Sequence, residues 1–296
     1  MKALEMFAGL GGFAFAAGHA MEKIVALDVS AHLVSLYAQN HSHHAVQANI
    51  ESLDPDALRS FDADFWWMSP PCQPYTVRGN QRDLEDPRAL SFKRLLAALP
   101  VVRPACLGLE NVAGFQESQA REALLRILAK ENYTVMERIL CPTELGIPNR
   151  RPRYYLAAVR EGGLREFRLQ PVGRDLLSYL DPDPDETLIV PPRIVEKYGR
   201  AFDIVRPGDP EAVATCFTSA YGRSWSLSGS YLEDPNGRLR LFSPKEVLRL
   251  LHFPDSFSFP SHVTRRQQWK YAGNSLNVAA VREVLHVLGV PMQGEA

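Results

Sequence analysis

Two side chains in this sequence are placed for joint chemistry. Cys72 lies in Ser69-Pro70-Pro71-Cys72-Gln73-Pro74, directly after the apolar run 65–68, so its thiol falls at the carboxyl end of a predicted strand. Open α/β sheets hold their ligands at that edge. Prolines on both sides stiffen the loop and fix the sulfur, which suits a nucleophile, although a lone cysteine is more often an inert apolar side chain. Glu110, in Glu110-Asn111-Val112, ends the apolar run 106–109 and faces the same crevice. Desolvation there is expected to raise its proton affinity and suit it to protonate a ring nitrogen; a helix cap or a salt bridge is the alternative.

Other patterns could hold a ligand beside this pair. Phe7-Ala8-Gly9-Leu10-Gly11-Gly12-Phe13 is a glycine-rich turn between the first predicted strand and helix, with Asp28 ending the second strand. Glycines admit a ligand close to the backbone, and an acid at that position accepts hydrogen bonds from ribose hydroxyls. The G-x-G-G spacing favours an adenosyl ligand with a carboxylate end over a pyrophosphate; an ordinary turn with a surface Asp is the bland reading. In Asn149-Arg150-Arg151-Pro152-Arg153, Arg151 and Arg153 are expected to project to one face of the last strand and grip a phosphate or a base carbonyl, unless they form a solvated edge. Gly273-Asn274-Ser275 leads into a C-terminal helix and could close over the same ligand. His32, His41, His43 and His44 lie close in sequence with no carboxylate or thiol at ligand spacing, so they read as exposed loop residues, not a metal site.

The elements that must position these residues follow from periodicity. Apolar runs at 3–7, 24–28, 45–50, 65–68, 106–111, 133–140 and 153–159 alternate with amphipathic stretches, the pattern of βαβ units around a mostly parallel sheet. No helix separates the last two, which predicts an antiparallel pair at the sheet's edge. From 161 to 242 seven prolines, Pro171 to Pro210, break the chain into short segments and suggest a separate small domain. Helical signals return at Ser243-Pro244-Lys245-Glu246, a capping box with proline in the first turn, and after Ser275, where Val278, Val281, Leu285 and Leu288 form one stripe. The domain expectation is therefore 1–160 with 243–296, and 161–242 apart. The segment 75–86, rich in Arg, Asn and Asp, is expected to act as a lid.

Composition narrows the class without choosing a function. The 296 residues are 46% hydrophobic and 23% charged, which excludes disordered and collagen-like chains. Four cysteines without a C-x-x-C pair argue against a zinc site and a disulfide framework. No apolar stretch is long enough to span a bilayer and no signal-peptide pattern occurs, so a cytoplasmic monomer is expected, with no membrane and no metal. Net charge is −1, but 13 basic and 17 acidic residues precede position 146 against 20 and 17 after it, so a polyanion would favour the second half.

Taken in order, F-A-G-L-G-G, S-P-P-C-Q-P, E-N-V, the R-x-R pair and G-N-S resemble the cytosine-5 methyltransferase family over nearly the whole chain. The resemblance implies a Rossmann-like α/β methyltransferase sheet with a smaller target-recognition domain. It implies S-adenosylmethionine as cofactor, S-adenosylhomocysteine as product, and contacts from Phe7, Gly9, Leu10, Gly11, Asp28, Val29, Asn49, Ile50, Asn274 and Ser275. It also implies a catalytic set of Cys72, which attacks carbon 6 of cytosine, Glu110 at N3, and Arg151 with Arg153 on the base and its phosphate. Cys216-Phe217-Thr218 with Tyr221-Gly222, Gly146-Ile147-Pro148-Asn149, and Gly273 through Val278 resemble the branch that acts on the tRNA anticodon loop, so tRNA is the expected partner. The small domain also leaves limited surface for reading duplex base edges. Asn149 stands where most DNA-directed members carry Gln, and Asn49 where an acidic residue is common. Duplex DNA methylation and a catalytically silent RNA binder remain as alternatives; a dinucleotide oxidoreductase would lack the phosphate fingerprint and leave Pro-Pro-Cys without a role.

Overall fold

A computed structural model describes residues 1–75, 83–169, 171, 173, 175–234 and 236–291. Residues 76–82, most of the segment expected to act as a lid, lie outside the described residues. The chain divides into two compact units, one comprising Met1–Leu140, Pro152–Arg168 and Ala280–Ala296, the other Cys141–Arg151 and Leu169–Ala279. These bounds differ from the expected ones: 141–151 and 243–279 group with the second unit.

The strands of the chain up to residue 159 are β1 (Lys2–Met6), β2 (Lys23–Asp28), β3 (His44–Gln47), β4 (Phe65–Met68), β5 (Cys106–Val112), β6 (Thr134–Leu140), β7 (Asn149–Arg150) and β8 (Arg153–Val159). All but β7 form one seven-stranded sheet in the order β3-β2-β1-β4-β5-β8-β6. The first five pair in parallel, and β8 runs antiparallel between β5 and β6. The antiparallel pair expected at 133–159 is present. Its connection is no tight turn, because 141–151 leave the sheet for the second unit. β4, with the sequence FWWM, is buried at every position, as a strand covered on both faces must be.

Helices α1 (Gly12–Ala17), α2 (Ala31–Asn40), α3 (Pro55–Ser60), α4 (Leu90–Val102) and α5 (Gln119–Lys130) follow strands of this sheet. Local signals start them: Ser30, Asp54 and Ser118 accept hydrogen bonds from Leu33 N, Ala57 N and Arg121 N. Leu95, Leu99, Leu124 and Leu128 of α4 and α5 then pack into a core with Trp66, Leu107, Leu109 and Leu156 from the sheet.

The second unit holds α6 (Pro192–Tyr198), β9 (Asp203–Val205), β10 (Ala214–Thr215), β11 (Ser230–Glu233), β12 (Leu239–Leu241), α7 (Pro244–Leu250) and α8 (Arg265–Asn274). A small sheet runs β12-β11-β9, while β10 pairs with β7. The expected capping box at Ser243 and Glu246 is formed. Glu246 is fully buried, and its carboxylate also takes a two-pronged ion pair from Arg240 at 2.8 and 2.9 Å. The last helix, α9 (Val278–Val287), buries Val278, Val281 and Leu285, the stripe expected from spacing.

Candidate active site

The glycine turn leaves β1 with Phe7, Gly9 and Gly11 all at positive φ. Three bonds fix it: Ala8 N donates to Leu27 O at 3.0 Å, Gly9 N to Asp28 Oδ2 at 3.0 Å, and Gly11 N to Ala8 O at 2.8 Å. Its two positive-φ glycines serve different ends. A Cβ on Gly9 would meet only Phe7 O, at 3.9 Å, so this face is open to close approach by a ligand. A Cβ on Gly11 would fall 2.2 Å from His41 Nε2 and 2.7 Å from Tyr37 Cε2, so this residue seats the turn on α2. Asp28 braces the turn, with Oδ1 accepting from Ser30 N at 2.9 Å, and burial raises its pKa. Each carboxylate oxygen keeps a lone pair for a hydroxyl donor. Val29 beside it is 66% exposed, a flat apolar surface at the end of β2. Leu10 and Ile50 are buried, and the Asn49 side chain accepts from Glu51 N. The turn therefore fits a ligand with ribose hydroxyls and a planar ring.

Beneath the turn lies a layer that sequence reasoning missed. Glu5 is 1% exposed and accepts from Phe13 N at 3.2 Å and from the Tyr37 hydroxyl at 3.0 Å. Burial pushes its pKa up to about 8 and drives that of Tyr37 well above its usual value. His41 was expected in an exposed loop; instead it is half-buried against Phe15 and Tyr37, with Nε2 3.2 Å from Leu10 O. A carbonyl can only accept, so Nε2 is the donor, and burial lowers the pKa to about 4, leaving a neutral ring at pH 7. His43 is half-buried as well; His32 and His44 are exposed, His32 on α2 and His44 on β3. The only sequence hint for this layer was the acid within the apolar run of β1.

Glu5 predicts a pH dependence. Its folded pKa is raised, so between the ordinary 4.5 and about 8 the unfolded chain sheds a proton that the folded chain keeps. Stability is then full below that window and falls as pH rises through it, by up to about 1.4 kcal/mol per pH unit. Denaturant titrations from pH 5 to 9 should show the decline in the wild type and a flatter profile in Glu5→Gln.

The loop bearing Cys72 is held at its root. Ser69 N donates to Met6 O at 3.4 Å and Trp67 Nε1 to Ser69 Oγ at 3.0 Å, while Asn111, 1% exposed, donates from Nδ2 to Pro70 O at 3.1 Å. Cys72 itself is half-buried, and its carbonyl accepts from Tyr75 N. Glu110 stands 9% exposed near the end of β5, the neighbour of β4 in the sheet. A Cβ on Gly114 would come within 2.6 Å of Tyr75 O, so the loops after β4 and β5 lie directly on each other. Thiol and carboxyl thus occupy one edge of adjacent parallel strands, with the glycine turn at the same edge of β1. Arg153, at the start of β8, brings Nε within 3.5 Å of Glu110 Oε1. Arg88, which sequence reasoning passed over, is bound by Asp86 at 2.8 and 2.6 Å. The Asp86 hydrogen bond raises the Arg88 pKa.

Arg151 does not share a strand face with Arg153. β7 ends at Arg150, Pro152 offers no N–H, and β8 starts at Arg153. The Arg151 guanidinium, 3% exposed, instead donates to Phe217 O at 3.1 Å, Gly273 O at 3.2 Å, Ser275 O and Cys216 Sγ. Asn149 donates to Ala214 O and Thr215 O. Cys216-Phe217 and Gly273 to Ser275, distant in sequence, therefore meet around one arginine, and Asn149 is tied to the strand that precedes Cys216. Asn274 ends α8 with an exposed side chain, and Ser275 Oγ donates to Tyr271 O.

The arrangement is that of a known family: a C-5 cytosine-specific DNA methylase model matches residues 1–187 and 193–289. The chain belongs to the cytosine-5 methyltransferase family. Among its relatives in that family, the tRNA (cytosine(38)-C(5))-methyltransferase of Schizosaccharomyces pombe is 32% identical over 99% of this chain and 98% of its own length. A DNA (cytosine-5)-methyltransferase of Dictyostelium discoideum is 30% identical over 98% of this chain and 95% of its own. The solved structure of an Entamoeba histolytica methyltransferase superposes with a TM-score of 0.89 at 28% identity, covering 97% of both chains. The α/β methyltransferase fold expected from the sequence is the one observed.

Proposed function

We propose that this methyltransferase modifies carbon 5 of a cytosine in the tRNA anticodon loop through a covalent adduct on Cys72. The observation that carries the chemistry is the placement of Cys72, in the loop after β4, and Glu110, near the end of β5, at the carboxyl edge of adjacent parallel strands. Relatives spanning the full chain and named for cytosine 38 of tRNA support the substrate. The glycine turn, Asp28, Val29, Asn49 and Ile50 would hold S-adenosylmethionine, which supplies an electrophilic methyl group when bound.

The protein's own groups perform the rest. The target cytosine must stand out of its stack, because a paired base offers the thiol no approach to its face. The Cys72 thiolate adds to carbon 6, and the electron pair of the broken 5,6 double bond moves onto carbon 5 and the N3 side of the ring. Glu110 donates a proton or hydrogen bond to N3 and stabilises that charge, while Arg153 fixes the carboxyl's orientation and remains close to the base. Once carbon 5 carries the methyl group, a base removes its remaining proton and the sulfur departs with the electrons of its bond to carbon 6. Arg151, committed to carbonyls of its own unit, is here a structural tie. The second unit serves as the target-recognition part. The Dictyostelium relative's name supports DNA as the second reading.

Incubation with tRNA and labelled cofactor, followed by nuclease digestion, should release the label as 5-methylcytidine from the anticodon-loop fragment. Label on another base or in another arm would contradict the proposal. Glu110→Gln should lower kcat about 100-fold with cofactor affinity unchanged, the scale set by losing one general acid. A kcat within twofold of wild type would remove Glu110 from the mechanism.

A further inference from the structure

The glycine turn between β1 and α1 keeps its carbonyls occupied. Ala8 O accepts from Gly11 N at 2.8 Å, and Gly11 O accepts from Phe15 N at 3.0 Å, both within the turn and its helix. Leu10 O, between them, accepts instead from a side chain of another element, His41 Nε2 at 3.2 Å, 31 residues away in sequence.

The imidazole is held in place for this bond. His41 ends α2, where its own N donates to Tyr37 O at 3.0 Å. The rings of Phe15 and Tyr37 lie against it, with centroids at 4.1 and 4.2 Å. Tyr37, one helical turn earlier, is itself fixed by its hydroxyl on Glu5. Gly11 packs onto His41 and Tyr37 with no room for a Cβ. A side chain locked by packing and by the bonds of its neighbours holds a site more precisely than a free one. The start of the same helix is tied to Asp28: Ser30 caps α2, and its N donates to Asp28 Oδ1 at 2.9 Å. One helix thus braces the acid expected to take ribose hydroxyls at its start and the glycine turn at its end.

A free carbonyl at this turn would oppose the carboxylate of an S-adenosyl ligand, since the two oxygens both accept hydrogen bonds and repel each other. Committing Leu10 O to a donor of the chain removes that conflict. We propose that His41 is a positioning residue that makes the glycine turn selective for the carboxylate-bearing end of the cofactor, by holding Leu10 O away from it. The open face at Gly9 is then left to the amino-acid end, and Asp28 to the ribose. The inference rests on S-adenosylmethionine as cofactor and assigns part of its recognition to a residue outside the glycine motif.

The test is calorimetric titration with S-adenosylhomocysteine and with methylthioadenosine, which shares the adenosyl group and lacks the amino-acid end. His41→Phe keeps a ring beside Phe15 and Tyr37 and loses the donor, whereas His41→Gln loses the ring and keeps an N–H donor at the reach of Nε2. His41→Phe should raise the Kd of S-adenosylhomocysteine about tenfold, the scale of one lost hydrogen bond, and leave that of methylthioadenosine within about twofold. His41→Gln should bind both ligands as the wild type does. Affinity kept by His41→Phe and lost by His41→Gln would make the ring's packing the cause and overturn the inference. Parallel loss of both ligands in His41→Phe, or equal Kd values in all three proteins, would overturn it as well, while binding by the wild type upholds the cofactor. A wild type that binds neither ligand would overturn the cofactor reading, and the role of His41 with it.

Discussion

Cys72→Ala should abolish methyl transfer, lowering it at least about 10,000-fold, because loss of a nucleophile removes the covalent route entirely. The protein should otherwise remain intact. Cys72 is half-buried, and its loop is fixed by backbone and by the Asn111 amide on Pro70, neither of which involves the sulfur. RNA carrying 5-fluorocytosine at the target provides the check, since fluorine at carbon 5 cannot leave as a proton does and the adduct should accumulate. Wild-type protein should form a complex that survives denaturing electrophoresis, and Cys72→Ala should form none. Methylation persisting in the variant would remove the thiol from the mechanism.

Arg151→Leu should cost about 4 kcal/mol, because two buried carbonyls and a half-buried one lose their donor and leucine cannot replace it. Phe217 lies far in sequence from Gly273 and Ser275, so the loss should loosen the second unit and not a single turn. Arg151→Lys should rescue little, since an ammonium cannot span the four acceptors that a planar guanidinium reaches. Urea unfolding followed by circular dichroism measures the change. A loss below 1 kcal/mol would contradict the tie and return Arg151 to a role on the substrate.

The placement of Cys72 and Glu110 at one sheet edge was legible because its signals are local. An apolar run ending in Pro-Pro-Cys, and another ending in Glu-Asn, each declare a strand end, and two such ends in a parallel sheet share an edge. Glycines before the first helix were legible for the same reason. The support beneath them was not: Glu5 appears as an interruption in an apolar run, and only the fold brings Tyr37 and His41 to it. Arg151 and Arg153 misled because two-residue spacing implies a shared face only within one strand, and Pro152 breaks the strand between them. Strand order was hidden for a related reason. β8 enters between β5 and β6, a long-range pairing that no window of sequence contains.

The most direct test of the account gives tRNA and duplex DNA side by side to the wild type with labelled S-adenosylmethionine, with Cys72→Ala alongside. Label in tRNA, absent from DNA and from the variant, is the predicted result. Label in DNA alone would keep the chemistry and contradict the substrate, and silence on both would make the protein a binder that retains a catalytic edge without using it.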